Sequence, residues 1–370
     1  MGARERSEAL HERSRAMVSA FERAAPMPES FDSLAADIVR FQADSIPGYA
    51  RLCAARDTDA RAIVRAAQAP AVPTEAFKLG RVFAFEETEA AVTFRTSGTT
   101  AAARGAHSIR DLRTYDAAAL AFGRVMLGCT GGRTSTVLVL GPPSADAPDS
   151  SLAHMGSLFV RALGSGDAQG SHFVRGDALD LDALRSRVSI LPAEIPAIVL
   201  GASFAFVRML DMLRGEALPL PAGSRVMQTG GFKGRSREVS AVQLRRAIAC
   251  AFAVSERAVV SEYGMTELSS QFWEATFVDP SSPEGVYAEP PWARVIPVDP
   301  ETLAPTKEGT IGIARIEDLA NIDSAFAILT QDSVRRAGGG FELLGRAPGA
   351  PARGCSIALD EMLSATDRRS

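Results

Sequence analysis

Thr93-Phe-Arg-Thr-Ser-Gly-Thr-Thr-Ala-Ala-Ala-Arg-Gly-Ala-His107 is the stretch from which the rest of the chain can be read. Phe94 and Arg95 close an apolar-leaning run through Ala90, Ala91 and Val92. Thr96, Ser97, Gly98, Thr99, Thr100 and Ala101 are then all small, hydroxylic or glycine. Such a segment buries little. It can bring backbone N–H groups and the hydroxyls of Thr96, Thr99 and Thr100 close to an anion, with Arg104 adding positive charge at the far end. Gly98 and Gly105 permit turns closed to other residues. The pattern reads as a phosphate-gripping loop, with an ordinary polar surface turn as the alternative. It is not a Walker A loop, because Ala103-Arg104-Gly105 stands where that motif requires Gly-Lys-Ser/Thr.

Beyond this loop the pattern becomes short strand, polar loop, helix. Residues 136–140 (TVLVL) form a first strand, closed by Gly141-Pro142-Pro143, and residues 195–200 (IPAIVL) a second, leading through Gly201 into an apolar helix that reaches Leu213. Residues 225–228 (RVMQ) are a third strand, followed by TGGFKGRSRE and a helix from about Val239 to Phe252. Residues 258–262 (AVVSE) are a fourth, followed by YGMTE. Short strands alternating with helices predict a largely parallel sheet covered on both faces. Glycine-bearing loops at the carboxyl ends of such strands are where open α/β sheets bind ligands. From 293 to 345 the chain turns to strands separated by turns, which predicts a small β-rich subregion. Upstream, the first ~90 residues read as mostly helical. Phe31, Leu34, Ile38 and Phe41 recur at helical spacing behind Ser30 as N-cap, with Pro47-Gly48 ending the run. The expected organisation is a helical part over 1–92, an α/β core over 93–292 and a β-rich part over 293–370.

A chain of 370 residues, 46% hydrophobic and 23% charged, has the composition of a globular protein. A net charge of −4 gives no reason to expect a nucleic-acid partner. The charged N-terminus lacks the apolar core of a signal peptide, and Arg6 breaks the myristoylation pattern. The apolar run from Ile195 to Val207 is too short to cross a bilayer. These features predict a cytoplasmic protein with no membrane span. The four cysteines, at 53, 129, 250 and 355, include no Cys-x-x-Cys pair and suggest no disulfide framework. With four histidines, a His-rich metal centre is not expected. Cys53, Cys129 and Cys250 lie in or beside apolar segments and read as buried small hydrophobes.

Three further stretches carry chemistry. Gln228-Thr229-Gly230-Gly231 places two glycines directly after a strand, so a flat ligand could lie against bare backbone. Tyr263-Gly264-Met265-Thr266-Glu267 offers an aromatic face, a hydroxyl and a carboxylate within five residues. Thr330-Gln331-Asp332 offers a carboxylate able to chelate two vicinal hydroxyls, followed by Gly345-Arg346 and Arg353-Gly354-Cys355-Ser356. Each alone has a bland reading, as packing or as a turn cap. Their order is more specific.

The series TSGTT…RG, TGG, YGMTE, TQD and LLGR…RG resembles the motif series of the adenylate-forming superfamily. The fuller strings FRTSGTT…RGAH, TGGFKGRSRE, YGMTELSSQ, DLAN and LGR…ARGCS resemble the acyl-protein synthetase (long-chain-fatty-acid–luciferin-component ligase) family, over roughly residues 30 to 360. The resemblance implies the α/β large-domain fold of those enzymes, with mostly parallel sheets, helices on both faces and a small β-rich C-terminal subregion. It also implies ATP and Mg²⁺. Thr96, Ser97, Gly98, Thr99 and Thr100 would hold the β- and γ-phosphates, and Gly230 and Gly231 would lie beside adenine. Tyr263 would stack on it, Thr266 would contact the α-phosphate, and Glu267 would hold the metal. Asp332 would bind the ribose hydroxyls, with Arg346 near ribose and phosphate.

The superfamily loop usually continues Gly-x-Pro-Lys-Gly, whereas here Ala101-Ala102-Ala103-Arg104-Gly105 follows, so arginine supplies the charge. About fifteen residues follow RGCS, and the expectation is a chain without the usual C-terminal lysine domain. The resemblance implies activation of a carboxylic acid, specifically a fatty acid, as an acyl-adenylate, then transfer to a thiol. It implies an acyl-protein reductase as the downstream partner. The alternatives are a truncated acyl- or aryl-CoA ligase and a nucleotide-binding scaffold without catalysis. The family's acyl-enzyme cysteine lies in its C-terminal segment, where Cys355 follows Arg353 and a guanidinium would favour the thiolate. A β-like run from Cys355 to Leu359 could instead pack that thiol inward.

Overall fold

A computed structural model describes residues 2–96, 104–132, 134–164, 170–230, 239–347 and 353–363, without side chains for 353–355. The chain forms two compact units that interleave in sequence. One comprises Met1–Ala121, Met265–Gln271 and Glu289–Ser370; the other comprises Phe122–Gly264 and Phe272–Ala288.

The second unit is built on the predicted strand–helix alternation. Strands Thr136–Leu140, Ala197–Ala202, Arg225–Thr229 and Val259–Tyr263 lie side by side in sequence order, all parallel. Leu140, Gly201, Gln228 and Ser261 are in register across them. Every residue of the four strands is buried; the first two read as near-continuous apolar runs for that reason, while the last two also bury polar side chains, Gln228, Ser261 and Glu262 among them. Helices Ser203–Leu213 and Ala241–Phe252 bring Phe206, Met209, Ile248 and Phe252 onto Val199, Val226 and Val259. Each large side chain buried in this way contributes roughly 1.5–3 kcal/mol. The sheet then departs from the parallel pattern. Phe272–Glu274 runs antiparallel to Val259–Tyr263, and Val286–Ala288 runs antiparallel to Phe272–Glu274. Fully buried Glu274 is matched there by Arg245 at 2.5 Å and by the backbone N–H groups of Ser261 and Gly285.

The first unit opens with helices Ala3–Glu22, Phe31–Ser45 and Pro47–Ala55. Ser30 caps the second, accepting from Ser33 N at 3.1 Å. Pro47 does not simply end that helix. It occupies the first turn of the next, where its missing N–H costs nothing. The expected β-rich subregion is an antiparallel meander of Ala293–Val298, Gly312–Asp318, Ala327–Ala337 and Gly340–Arg346. Val72–Pro73 pairs in parallel with the third of these strands.

Two expectations are corrected. The run from Cys355 to Leu359 is not β-like but part of helix Arg353–Met362. Ala358 and Met362, four apart and both buried, mark its inward face, and the Met362 carbonyl accepts from Arg51 Nε at 2.8 Å. Cys250 is exposed rather than buried, because helix Ala241–Phe252 turns Leu244, Ile248 and Phe252 inward instead. No helix among the described residues is long and apolar enough to cross a membrane.

Candidate active site

In the first unit, Val92–Arg95 and Ala106–Ile109 pair antiparallel, from Val92↔Ile109 to Arg95↔Ala106. The small-residue loop is therefore the end of a β-hairpin. Thr96 N donates to Gly105 O at 2.9 Å, and Gly105 N donates to Thr96 Oγ1 at 2.8 Å. Arg104 lies across the same neck, with Nε donating to Thr96 O at 2.6 Å and Nη2 to Arg95 O at 3.3 Å. Thr96 and Arg104 thus meet at the base of the loop. Ser97, Gly98, Thr99 and Thr100 lie outside the described residues.

The hairpin's return strand carries His107, which is 2% exposed. Its Nδ1 lies 2.8 Å from the carbonyl oxygen of Thr266. Burial holds the His107 pKa down to about 4, so the ring is neutral near neutral pH. A carbonyl can only accept, so Nδ1 carries the hydrogen. Phe77 meets the ring edge-on at 5.8 Å.

The next carbonyl along the chain is also held. Asn321 Nδ2 donates to Glu267 O at 2.9 Å and to Ala325 O at 3.1 Å, while Asn321 Oδ1 accepts from Ser269 Oγ at 2.6 Å. Asp318, fully buried, accepts from Ser269 N at 3.0 Å, Ser270 N at 2.9 Å, Ser270 Oγ at 2.7 Å and Ala320 N at 2.9 Å. Burial raises its pKa despite these donors. The carboxylate of Glu267 is on a residue only 6% exposed.

Asp332 and Arg346 are cross-strand partners in the meander, and Arg346 Nε stands 3.9 Å from Asp332 Oδ1. The Arg346 side chain is 81% exposed and Asp332 is 18% exposed, so the guanidinium reaches into solvent beside a half-sheltered carboxylate. Gly345 takes φ +93° next to the register shift between Asp332 and Val334. Only glycine accepts that conformation without strain.

In the second unit, Gly230 follows strand Arg225–Thr229 with φ +68°, and a Cβ built there would meet nothing within 4 Å. Its backbone is bare on that side. The Gly230 carbonyl accepts from Ser203 Oγ at 2.7 Å, a side chain at the first position of helix Ser203–Leu213. Tyr263, 7% exposed, stacks near Phe272 at 6.1 Å and meets Tyr287 edge-on at 6.2 Å. Beside it, Glu262 accepts from Thr229 Oγ1 in the neighbouring parallel strand. Burial pushes the Glu262 carboxyl up to about 7. Gly231 lies outside the described residues. Cys355 is in helix Arg353–Met362, and its side chain is not described.

Sequence reading gave no role to His107, Asn321, Asp318, Ser203 or Glu262. His107, Asp318 and Asn321 stand in the strings RGAH and DLAN that carry the resemblance, which marked the positions without saying what their side chains hold. Among the described residues, no three or more His, Cys, Asp or Glu side chains gather as a metal site.

Comparison with known proteins gives the fold a context. The chain superposes on 2-hydroxyisobutyryl-CoA ligase in the postadenylation state in complex with 2-HIB-AMP, with TM-score 0.62 and 14% identity over 94% of this chain and 69% of that one. The open conformation of that ligase, in complex with 2-HIB-AMP and CoA, gives TM-score 0.59 and 14% identity over 86% of this chain and 75% of that one. ATP-bound MatB from Rhodopseudomonas palustris is 17% identical over 71% of this chain and 49% of that one, at TM-score 0.48. This chain therefore spans about half of MatB's length. No curated protein matches it. The likeness to the ligase establishes an adenylate-forming-enzyme fold. A family model described as "Acyl-protein synthetase, LuxE" matches residues 29–364, and the chain belongs to that family.

Proposed function

We propose that this protein activates a carboxylic acid with ATP and passes the acyl group to a thiol. A carboxylate oxygen attacks the α-phosphorus, the bond to the β-phosphate oxygen breaks, and pyrophosphate leaves, giving an acyl-adenylate. A thiolate then attacks the acyl carbonyl, AMP leaves, and a thioester forms. The acid is a fatty acid, the first acceptor is Cys355, and an acyl-protein reductase takes the product. Family membership over residues 29–364 supports the activation step.

The observation that carries the reading is Glu267, a buried carboxylate on a turn whose two successive carbonyls are held by His107 and Asn321. A Mg²⁺ that arrives on ATP takes most of its ligands from phosphate and water and needs only one or two protein carboxylates. A single rigidly held Glu267 fits that donor set. When bound, the metal offsets charge developing on the phosphates. In this reading Thr266 contacts the α-phosphate, while the Thr96–Thr100 loop and Arg104 face the β- and γ-phosphates. Asp332 chelates the ribose hydroxyls with Arg346 beside them. Gly230 and Gly231 offer bare backbone to adenine, and Tyr263 stacks on it.

The test is acid-dependent pyrophosphate exchange across a panel of carboxylic acids, followed by mass analysis for a hydroxylamine-labile adduct. Exchange with medium- or long-chain acids and an adduct on the Cys355 peptide are expected. No exchange with any acid overturns the activation step. Exchange with a thioester found only on added coenzyme A overturns the protein acceptor.

A further inference from the structure

We propose that His107 and Asn321, backed by Asp318, are positioning residues for the Thr266–Glu267 pair, acting on its backbone rather than on any substrate. The inference rests on the reading of Thr266 and Glu267 given above. It concerns what holds them.

Two consecutive peptide planes are held from outside the turn. The carbonyl of Thr266 is bonded to His107 Nδ1 at 2.8 Å and that of Glu267 to Asn321 Nδ2 at 2.9 Å. A peptide unit is planar, so fixing both carbonyls fixes the two planes and the direction of the Cα–Cβ bond at Glu267 between them. The chain immediately after is fixed as well. Leu268 N bonds back to Met265 O at 3.2 Å, and Ser269 N and Ser270 N both end on Asp318 Oδ2. Every polar atom of the Asn321 side chain is used: both amide hydrogens go to carbonyls, and the oxygen accepts from Ser269.

The support is itself anchored. Gln42, 0% exposed on helix Phe31–Ser45, donates to Asn321 O at 2.8 Å and Ile322 O at 2.9 Å and accepts from Phe326 N at 3.1 Å. A helix near the N-terminus thus grips the loop that carries Asn321, and that loop grips the turn that carries Glu267. His107 links the same turn to the strand returning from the hydroxyl-rich loop, only two residues beyond Gly105. Such a buried network, fully satisfied, holds a carboxylate to the sub-ångström tolerance that phosphoryl chemistry demands.

The experiment compares His107→Leu, His107→Asn and Asn321→Ala in acid-dependent pyrophosphate exchange over a range of Mg²⁺ concentrations. Hydrogen exchange of the amides from Leu268 to Ser270 is measured on the same proteins. His107→Leu and Asn321→Ala are expected to lose at least about tenfold in kcat with the KM for ATP within about threefold, and to need several-fold more Mg²⁺. His107→Asn, whose amide nitrogen is bonded to Cγ as Nδ1 is and still offers an N–H to Thr266, is expected to stay within about threefold of the natural protein in kcat. In Asn321→Ala the Ser269 and Ser270 amides should exchange at least about tenfold faster. Equal losses in His107→Leu and His107→Asn, with unshifted Mg²⁺ curves, overturn the proposal in favour of simple packing. Absence of exchange activity in the natural protein would defeat the functional reading instead. In that case the amides decide the clamp alone, and unchanged protection in Asn321→Ala overturns it.

Discussion

Replacing Glu262 by glutamine should remove a pH dependence of folding that the structure assigns to one carboxyl. Glu262 is 5% exposed, and burial raises its pKa from the ordinary 4.5 to about 7, against the opposing effect of the bond from Thr229 Oγ1. A raised folded-state pKa means that the folded protein holds its proton more tightly than the unfolded chain does. The stabilisation is therefore complete below about 4.5 and is lost as pH rises through about 7. At about 1.4 kcal/mol per pH unit, the loss across that window is roughly 3 kcal/mol. Glutamine keeps the shape and an acceptor for Thr229 but never ionises. Its extra amide hydrogens cost about 1 kcal/mol at any pH if left unpaired. Glu262→Gln should accordingly be slightly less stable than the natural protein at pH 4.5 and more stable by about 2 kcal/mol at pH 8. Urea denaturation between these limits, followed by the fluorescence of buried Trp273, cross-strand neighbour of Glu262, reads the difference. Stability curves for the two proteins that stay parallel from pH 4.5 to 8 would refute the reasoning, since the carboxyl would then titrate alike in both states.

Three predictions concern the proposed activity. Glu267→Gln should fold normally and lose on the order of a hundredfold in acyl-adenylate formation, ~3 kcal/mol of transition-state stabilisation, because an amide is a poor Mg²⁺ ligand. Wild-type exchange rates in a folded variant would remove Glu267 from the metal. Asp332→Ala should raise the KM for ATP about tenfold while leaving kcat nearly unchanged, since ribose contacts are equal in ground and transition states. An unaltered KM would speak against the ribose assignment. Cys355→Ser should keep pyrophosphate exchange but lose the hydroxylamine-labile adduct, and an adduct mapping to exposed Cys250 would transfer the carrier role there.

The elements legible from sequence were those whose signal is local. Four short strands, each closed by glycine or a polar loop and two of them strongly apolar, predicted the parallel part of the sheet, because a strand covered on both faces favours a near-continuous apolar run. Ser30 announced its helix by the same kind of local bond, to an N–H three residues on. That Asp332 and Arg346 are cross-strand partners was not read from the sequence and comes from the antiparallel register. Short segments were misread where the local signal was thin. The five residues from Cys355 to Leu359 show neither period clearly, while Pro47, which follows the end of one helix as read, also opens the next.

What only the tertiary structure decided is the wiring behind the site. His107 and Thr266 lie 159 positions apart, and Gln42 and Asn321 lie 279 apart, so no periodicity connects them. Whether a buried polar side chain is a liability or a support depends on which backbone carbonyl stands opposite it. That is settled by the packing of helices and strands drawn from distant parts of the chain. The pKa values of Glu262 and His107 were beyond the sequence for the same reason. They are set by loss of water around each group, and the sequence specifies neighbours along the chain, not neighbours in space.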